Sequence, residues 1–217
     1  MVTEIVTPRI AALEPPHEPA VAAQLTKMMP PNVPPIALFR TVAKNLPMAE
    51  AMTLWGSYEL SRSLSLSLRD REIVIDRTCA RCGCEYEWGV HIAFFAEKAR
   101  LDRDQVASLT YGGADDPCWA AERDRLLVRT VDALCDRRDI DDTLWTALRA
   151  QFDECEVLEL TMLCGWYHAI SFTARAARVQ PEAGSPTFAD YASGSSSSVP
   201  TNGTRASGTR TLPSGRW

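Results

Sequence analysis

The chain has 217 residues, 46% of them hydrophobic and 24% charged, with a formal net charge of −5. This is ordinary globular composition with enough apolar residues for one domain-sized core, and mild acidity without a Lys/Arg cluster excludes a nucleic-acid footprint. No apolar run approaches the ~20 residues that cross a bilayer, and residues 1–16 lack the apolar core of a secretion signal. The expectation is therefore no nucleic acid, no membrane, and the cytoplasm as location.

Residues 1–35 carry Pro8, Pro15, Pro16, Pro19, Pro30, Pro31, Pro34 and Pro35. They read as an extended, proline-rich arm with one short helix over 19–29: Pro19 suits a first helical position, and Pro30-Pro31 stops the helix. Such an arm has no core of its own and is expected to wrap the domain or a neighbouring subunit. From residue 36 the periodicity is helical throughout. A short helix over 36–44 ends at Asn45 and Pro47, and a longer one over 48–63 carries Met52, Trp55, Tyr58 and Leu60. Ser67 and Asp70 resemble a capping box that opens a helix running to about Arg81. Cys82-Gly83-Cys84 interrupts it. Further helices are expected over 84–100, from a cap at Asp102, and over 118–135, 141–152 and 155–179, with a loop over 111–117. The last of these is apolar on most faces and reads as the central, buried helix. No segment shows sustained strand alternation, so the fold class is all-α. After Pro181 the composition collapses into Ser, Gly, Thr and Pro, too apolar-poor to offset ordering entropy. The organisation is thus an arm (1–35), a helical domain (36–181) and a disordered tail (182–217).

Four of the seven cysteines, Cys118, Cys135, Cys155 and Cys164, lie singly in helical patterns and read as small buried apolar residues. Cys79, Cys82 and Cys84 cluster instead. Gly83 is a natural helix break, which puts Cys84 at the start of the next helix, where the dipole favours a thiolate and lowers its pKa. Cys84, Glu87 and His91 are spaced i, i+3, i+7 and share one helix face. Glu72 lies on the preceding helix, and a tight connection can fold it back toward that face, which spacing alone does not show. A thiol, two carboxylates and an imidazole make a candidate proton-transfer site, with Tyr86 and Trp88 as an apolar wall and His168 of the last helix as a further lining residue. Cys79, Cys82, Cys84 and His91 also offer four zinc ligands, but all come from one continuous helical segment, which disfavours a metal.

Glu72, eleven residues, Cys84, two residues, Glu87, three residues, His91 is similar to the Glu…Cys-x-x-Cys-x-x-x-His motif of the carboxymuconolactone decarboxylase and alkylhydroperoxidase D family. Tyr86-Glu87-Trp88-x-x-His91 resembles its decarboxylase-like branch, and the flanks Leu66–Glu72 and Gly165–His168 fit as well. The resemblance covers roughly residues 35–179. It implies an alkylhydroperoxidase D-like helical fold and a homo-oligomer, trimeric or hexameric. Its decarboxylase members act on small cyclic carboxylates without a cofactor; its peroxidase members use both motif cysteines. Here Glu87 stands where the second motif cysteine would be, which shifts the weight from dithiol to acid/base chemistry.

The expected activity is therefore a cofactor-independent, lyase-type reaction on a small cyclic carboxylate or lactone. His91 would be the general acid or base, Glu72 would orient it, and Cys84 and Glu87 would line the pocket or relay protons. A thiol peroxidase using Cys84 and a non-catalytic helical oligomerisation module are the alternatives.

Overall fold

Helix boundaries follow the caps and breakers of the sequence. The computed structural model describes residues 7–192. It forms α1 (Pro19–Lys27), α2 (Ala37–Val42), α3 (Leu46–Glu59), α4 (Leu68–Arg81), α5 (Glu85–Phe95), α6 (Arg103–Tyr111), α7 (Glu122–Arg137), α8 (Asp142–Arg149), α9 (Glu154–Ala177) and a closing 3-10 turn (Phe188–Tyr191). Among the described residues there is no strand, and no helix is long and apolar enough to cross a membrane. Capping boxes at Ser67/Asp70, Asp102/Gln105 and Asp153/Glu156 start α4, α6 and α9, each satisfying amide groups that a helix start leaves unpaired.

The central helix is α4, not the last one. Every residue from Asp70 to Cys79 is buried, and α5, α6, α7 and α9 pack around it. Several of its polar residues are answered by α7. Arg69 meets Asp124 at 2.8 Å, Arg123 meets Asp70 at 3.0 Å, and Arg77 makes a two-pronged pair with Asp132 at 2.8 and 2.9 Å. Arg123 reaches on to Glu156 of α9 at 2.6 Å. The last helix, expected at the centre, has more apolar residues than one core-facing stripe can use. It leaves Leu158, Met162 and Phe172 at 65%, 53% and 64% exposure.

Two boundaries also differ from expectation. Helix α7 starts at Glu122 rather than 118, because Trp119 is buried in the loop, where its indole N–H donates to Ser108 Oγ at 2.8 Å. Helix α5 stops at Phe95, and Arg100 turns the chain in the left-handed region.

The arm lies on its own domain. Arg9 and Ile10 N–H both donate to the Ala177 carbonyl, at 2.9 and 3.1 Å, and α1 is fastened to α3 by the Gln24 amide, which donates to Ala49 O and Thr53 Oγ1. The expected tail from 182 is corrected for its first part. Residues 182–192 dock because Phe188 and Tyr191 pack edge-on against Trp88, with ring centroids 5.0 and 5.5 Å away. Gly89 permits this approach, since a Cβ there would sit 2.6 Å from the Pro186 carbonyl oxygen. The disorder expected of 193–217 falls outside the described residues.

Candidate active site

The site is made by one turn. Gly83 adopts φ 61°, open to glycine without strain, and the Cys84 N–H reaches back to the Cys79 carbonyl at 2.8 Å. Helix α5 therefore returns along α4, and Glu72 meets His91. Glu72 is fully buried. One carboxylate oxygen accepts from Arg71 Nε and Nη2 at 2.8 and 2.7 Å; the other lies 2.8 Å from His91 Nδ1. The far ring nitrogen, Nε2, is 3.0 Å from the Tyr167 hydroxyl and 3.6 Å from Glu87 Oε1.

The electrostatics follow from burial and pairing. Burial opposes a charge on His91, but Glu72 and Glu87 on either side of the ring outweigh it and raise its pKa to about 10. His91 is thus an imidazolium at neutral pH. Burial pushes Tyr167 well above the usual phenol range, so it keeps its proton. Two further acids stand behind the site. Burial pushes Glu59 up to about 8, and burial together with neighbouring Glu72 pushes Asp76 well above the carboxylate range.

His91, Glu87 and Tyr167 form the polar wall of a cavity of about 290 Å³ between the arm, α3, α5 and α9. The other walls are mainly apolar, with Met28, Met29, Phe39, Met52, Phe94 and Ile170 beside Thr53 and Ser57, and exposed Lys27 adds a cation. Glu87 Oε2 is buried with no hydrogen-bond partner.

Of the residues expected from the sequence, the structure brings His91 and Glu87 to the cavity and places Glu72 directly behind His91. The others lie elsewhere. Cys84 caps α5 as expected but is only 1% exposed and does not line the cavity. Burial pushes its thiol up to about 11, helped by the Glu87 charge, which corrects the expectation of a dipole-lowered pKa. Tyr86 is structural: its hydroxyl accepts from Leu38 N–H at 2.9 Å and donates to Glu182 at 2.7 Å. Trp88 is fully buried beneath Phe188 and Tyr191. His168 turns away, because adjacent helical residues point about 100° apart and its neighbour Tyr167 takes the site side. Its ring meets Cys135 and Cys164 instead. Sequence reasoning missed Tyr167, although Gly165–His168 had been noted, and the arm residues that roof the cavity. It also misjudged Cys155, which is exposed, and Cys118 and Cys135, which are half-buried. Among the described residues, the group close enough to share a metal is Cys135, Cys164 and His168; the set Cys79, Cys82, Cys84, His91 does not converge.

Residues 47–129 match the model of the carboxymuconolactone decarboxylase family. The fold is shared with several solved structures. An uncharacterized peroxidase-related protein from Silicibacter sp. TM1040 has a TM-score of 0.69 at 16% identity, over 85% of this chain and 99% of that one. An alkylhydroperoxidase AhpD core protein, peroxidase-related and uncharacterized, from Ralstonia eutropha JMP134 has 0.65 at 18%, over 82% and 95%. The debrominase Bmp8 has 0.59 at 14%, over 80% and 92%. Identities this low speak for the fold alone. No curated protein sequence matches the chain significantly.

Proposed function

We propose that the chain, whose residues 47–129 match the carboxymuconolactone decarboxylase family model and whose fold is AhpD-like and all-α, is a member of that family and a cofactor-independent enzyme of lyase type acting on a small cyclic carboxylate or lactone. The observation that carries this reading is His91 held between Glu72 and Glu87 on the wall of a largely apolar cavity, an arrangement that favours the imidazolium. In a decarboxylation, the bond from the ring carbon to the carboxylate breaks, its electron pair passes into an adjacent carbonyl as an enolate, and CO2 leaves. His91 Nε2–H, directly or through the Tyr167 hydroxyl, then protonates the carbon, and His91 recovers its proton from water. An apolar wall favours this step because it destabilises a concentrated carboxylate charge more than a dispersed enolate. Glu72 is a positioning residue acting through His91. Glu87, on the cavity wall, is the polar group that would meet a substrate hydroxyl. A variant of Bmp8 is described in complex with a tribromopyrrole, which supports a ring-sized ligand in this fold.

The test is turnover of a panel of cyclic lactone and β-keto carboxylates in D2O, followed by NMR. One deuteron should appear at the carbon that bore the carboxylate, and His91→Gln should lower turnover at least ~100-fold. Unchanged turnover in His91→Gln overturns the assignment. Hydroperoxide consumption that stops on Cys84→Ser would select the thiol-peroxidase reading, against which the burial of Cys84 stands.

We also propose a homo-oligomer, trimer or hexamer, in the reducing cytoplasm, where the seven thiols, all free here, persist. Leu158, Met162 and Phe172 form an exposed apolar stripe along α9, and Leu54 of α3 is 80% exposed. Exposed apolar residues in such number mark association surfaces. Light scattering should find an assembly that Leu158→Glu with Met162→Glu dissociates; a monomeric parent protein refutes it.

A further inference from the structure

We propose that Cys82, Cys135, Cys164 and His168 form a zinc site, separate from the acid/base cavity. The donor atoms of Cys135, Cys164 and His168 all lie within 4.8 Å of one another. Cys135 Sγ and His168 Nε2 are 3.6 Å apart. A tetrahedral zinc with Zn–S of about 2.3 Å and Zn–N of about 2.05 Å requires an S–N edge of about 3.6 Å, so this pair already has the edge length the ion needs.

The imidazole is also oriented for the task. His168 Nδ1 lies 2.8 Å from the Cys164 carbonyl oxygen. A proton donated there leaves the lone pair on Nε2, facing Cys135. A carbonyl or carboxylate holding the non-ligating nitrogen is the usual outer shell of a zinc-bound histidine. Cys164 and His168 are four residues apart on α9 and share one face, as paired helical ligands do. Cys82, at the C-terminal end of α4, lies beside the His168 ring and is assigned as the fourth donor, which requires its thiol to turn toward the three donor atoms already together.

Three thiolates and an imidazole are a soft set suited to zinc. The bound complex would carry one net negative charge, and a cation is already in place: Arg175 donates to the Cys82 carbonyl at 2.5 Å and lies against Gly83. The ligands come from the end of α4, the last turns of α7 and the middle of α9, so one ion would pin these three helices together beside the turn that carries Cys84. In the set discarded from the sequence, by contrast, all ligands came from one segment. Cys82, Cys135 and His168 are half-buried and Cys164 is buried, which leaves a route in from the surface.

The test uses the full chain, reduced and stripped of metal, titrated anaerobically with Co2+ and then Zn2+. One equivalent of Co2+ should give thiolate-to-cobalt charge-transfer absorption and the intense visible bands of tetrahedral cobalt, both abolished by one equivalent of Zn2+. In chelator competition, Cys135→Ser and His168→Ala should each weaken zinc binding at least ~100-fold, the upper end of what losing only an outer-shell partner costs. Cys155→Ser, which alters an exposed thiol elsewhere, should change nothing. The wild-type spectrum needs no variant to fold. Absence of charge transfer at stoichiometric cobalt, or binding that survives in both Cys135→Ser and His168→Ala, overturns the site. So does reduced protein that takes no metal but loses two hydrogens on air oxidation by forming a Cys135–Cys164 disulfide.

Discussion

Replacing Glu72 by alanine should lower the free energy of unfolding by about 3–5 kcal/mol, read as a fall in the urea midpoint at unchanged m-value. Glu72 is 0% exposed, and the two groups it serves, Arg71 and His91, are 6% and 4% exposed. Its carboxylate answers both: two guanidinium donors on one oxygen, the imidazole on the other. Alanine would leave two buried positive charges with one less counter-charge and add a small cavity. Against a typical total of ~5–15 kcal/mol, that is a large fraction. Glu72→Gln keeps the volume and a hydrogen-bond acceptor, so it should cost less. Both variants should lower the His91 pKa, visible in the ring-proton NMR titration, because burial then opposes the charge with less to counter it. A Glu72→Ala midpoint within experimental error of the parent would mean that the carboxylate does not serve as the counter-charge.

What could be read from the sequence was local. Ser67/Asp70 announced a helix start because a capping box needs only four consecutive residues. Glu72, Cys84, Glu87 and His91 stood out because a single turn at Gly83 sets their register. What was hidden depended on distant partners. Helix α4 looked too polar to be central; Asp70 and Arg77 are buried, and Arg69 half-buried, only because their partners arrive from 53 to 55 residues away. Tyr167 reaches His91 from 76 residues downstream, and periodicity cannot say which face of α9 turns inward. The position of Cys84 at a helix start was legible, but its burial was not, and burial decides its pKa. The same blindness applied to Phe188 and Tyr191, two aromatics in a polar stretch, whose docking site on Trp88 lies about 100 residues upstream.

Stability should fall as the pH rises from about 5 to about 10, in two stages that two substitutions separate. Glu59 moves from an ordinary value of 4.5 to about 8 on folding. Between these values the folded state holds a proton that the unfolded chain has released, so each pH unit upward costs stability, by at most about 1.4 kcal/mol per group. His91 moves from 6.5 to about 10. Its contribution is fully present below 6.5 and is lost as the pH climbs through 10. Burial, which raises an acid, and ion pairing, which raises a base, thus act in the same direction here. Asp76, also raised by burial, reinforces the slope. Urea unfolding at a series of pH values should show Glu59→Gln with a shallower decline between about 5 and 8, and His91→Gln with a shallower decline between about 7 and 10. A parent protein whose stability is flat over this range, or a Glu59→Gln profile that keeps the parent slope, would mean that these buried groups are not protonated as the geometry requires. The same titrations bear on catalysis. His91 stays a proton donor to about pH 10, but Glu59 ionises near pH 8 close enough to interact with it. A further negative charge there, beyond Glu72 and Glu87, holds the proton on His91 more tightly. An alkaline decline in turnover that begins near pH 8 and disappears in Glu59→Gln would therefore trace to the buried acid behind the site rather than to the imidazole itself.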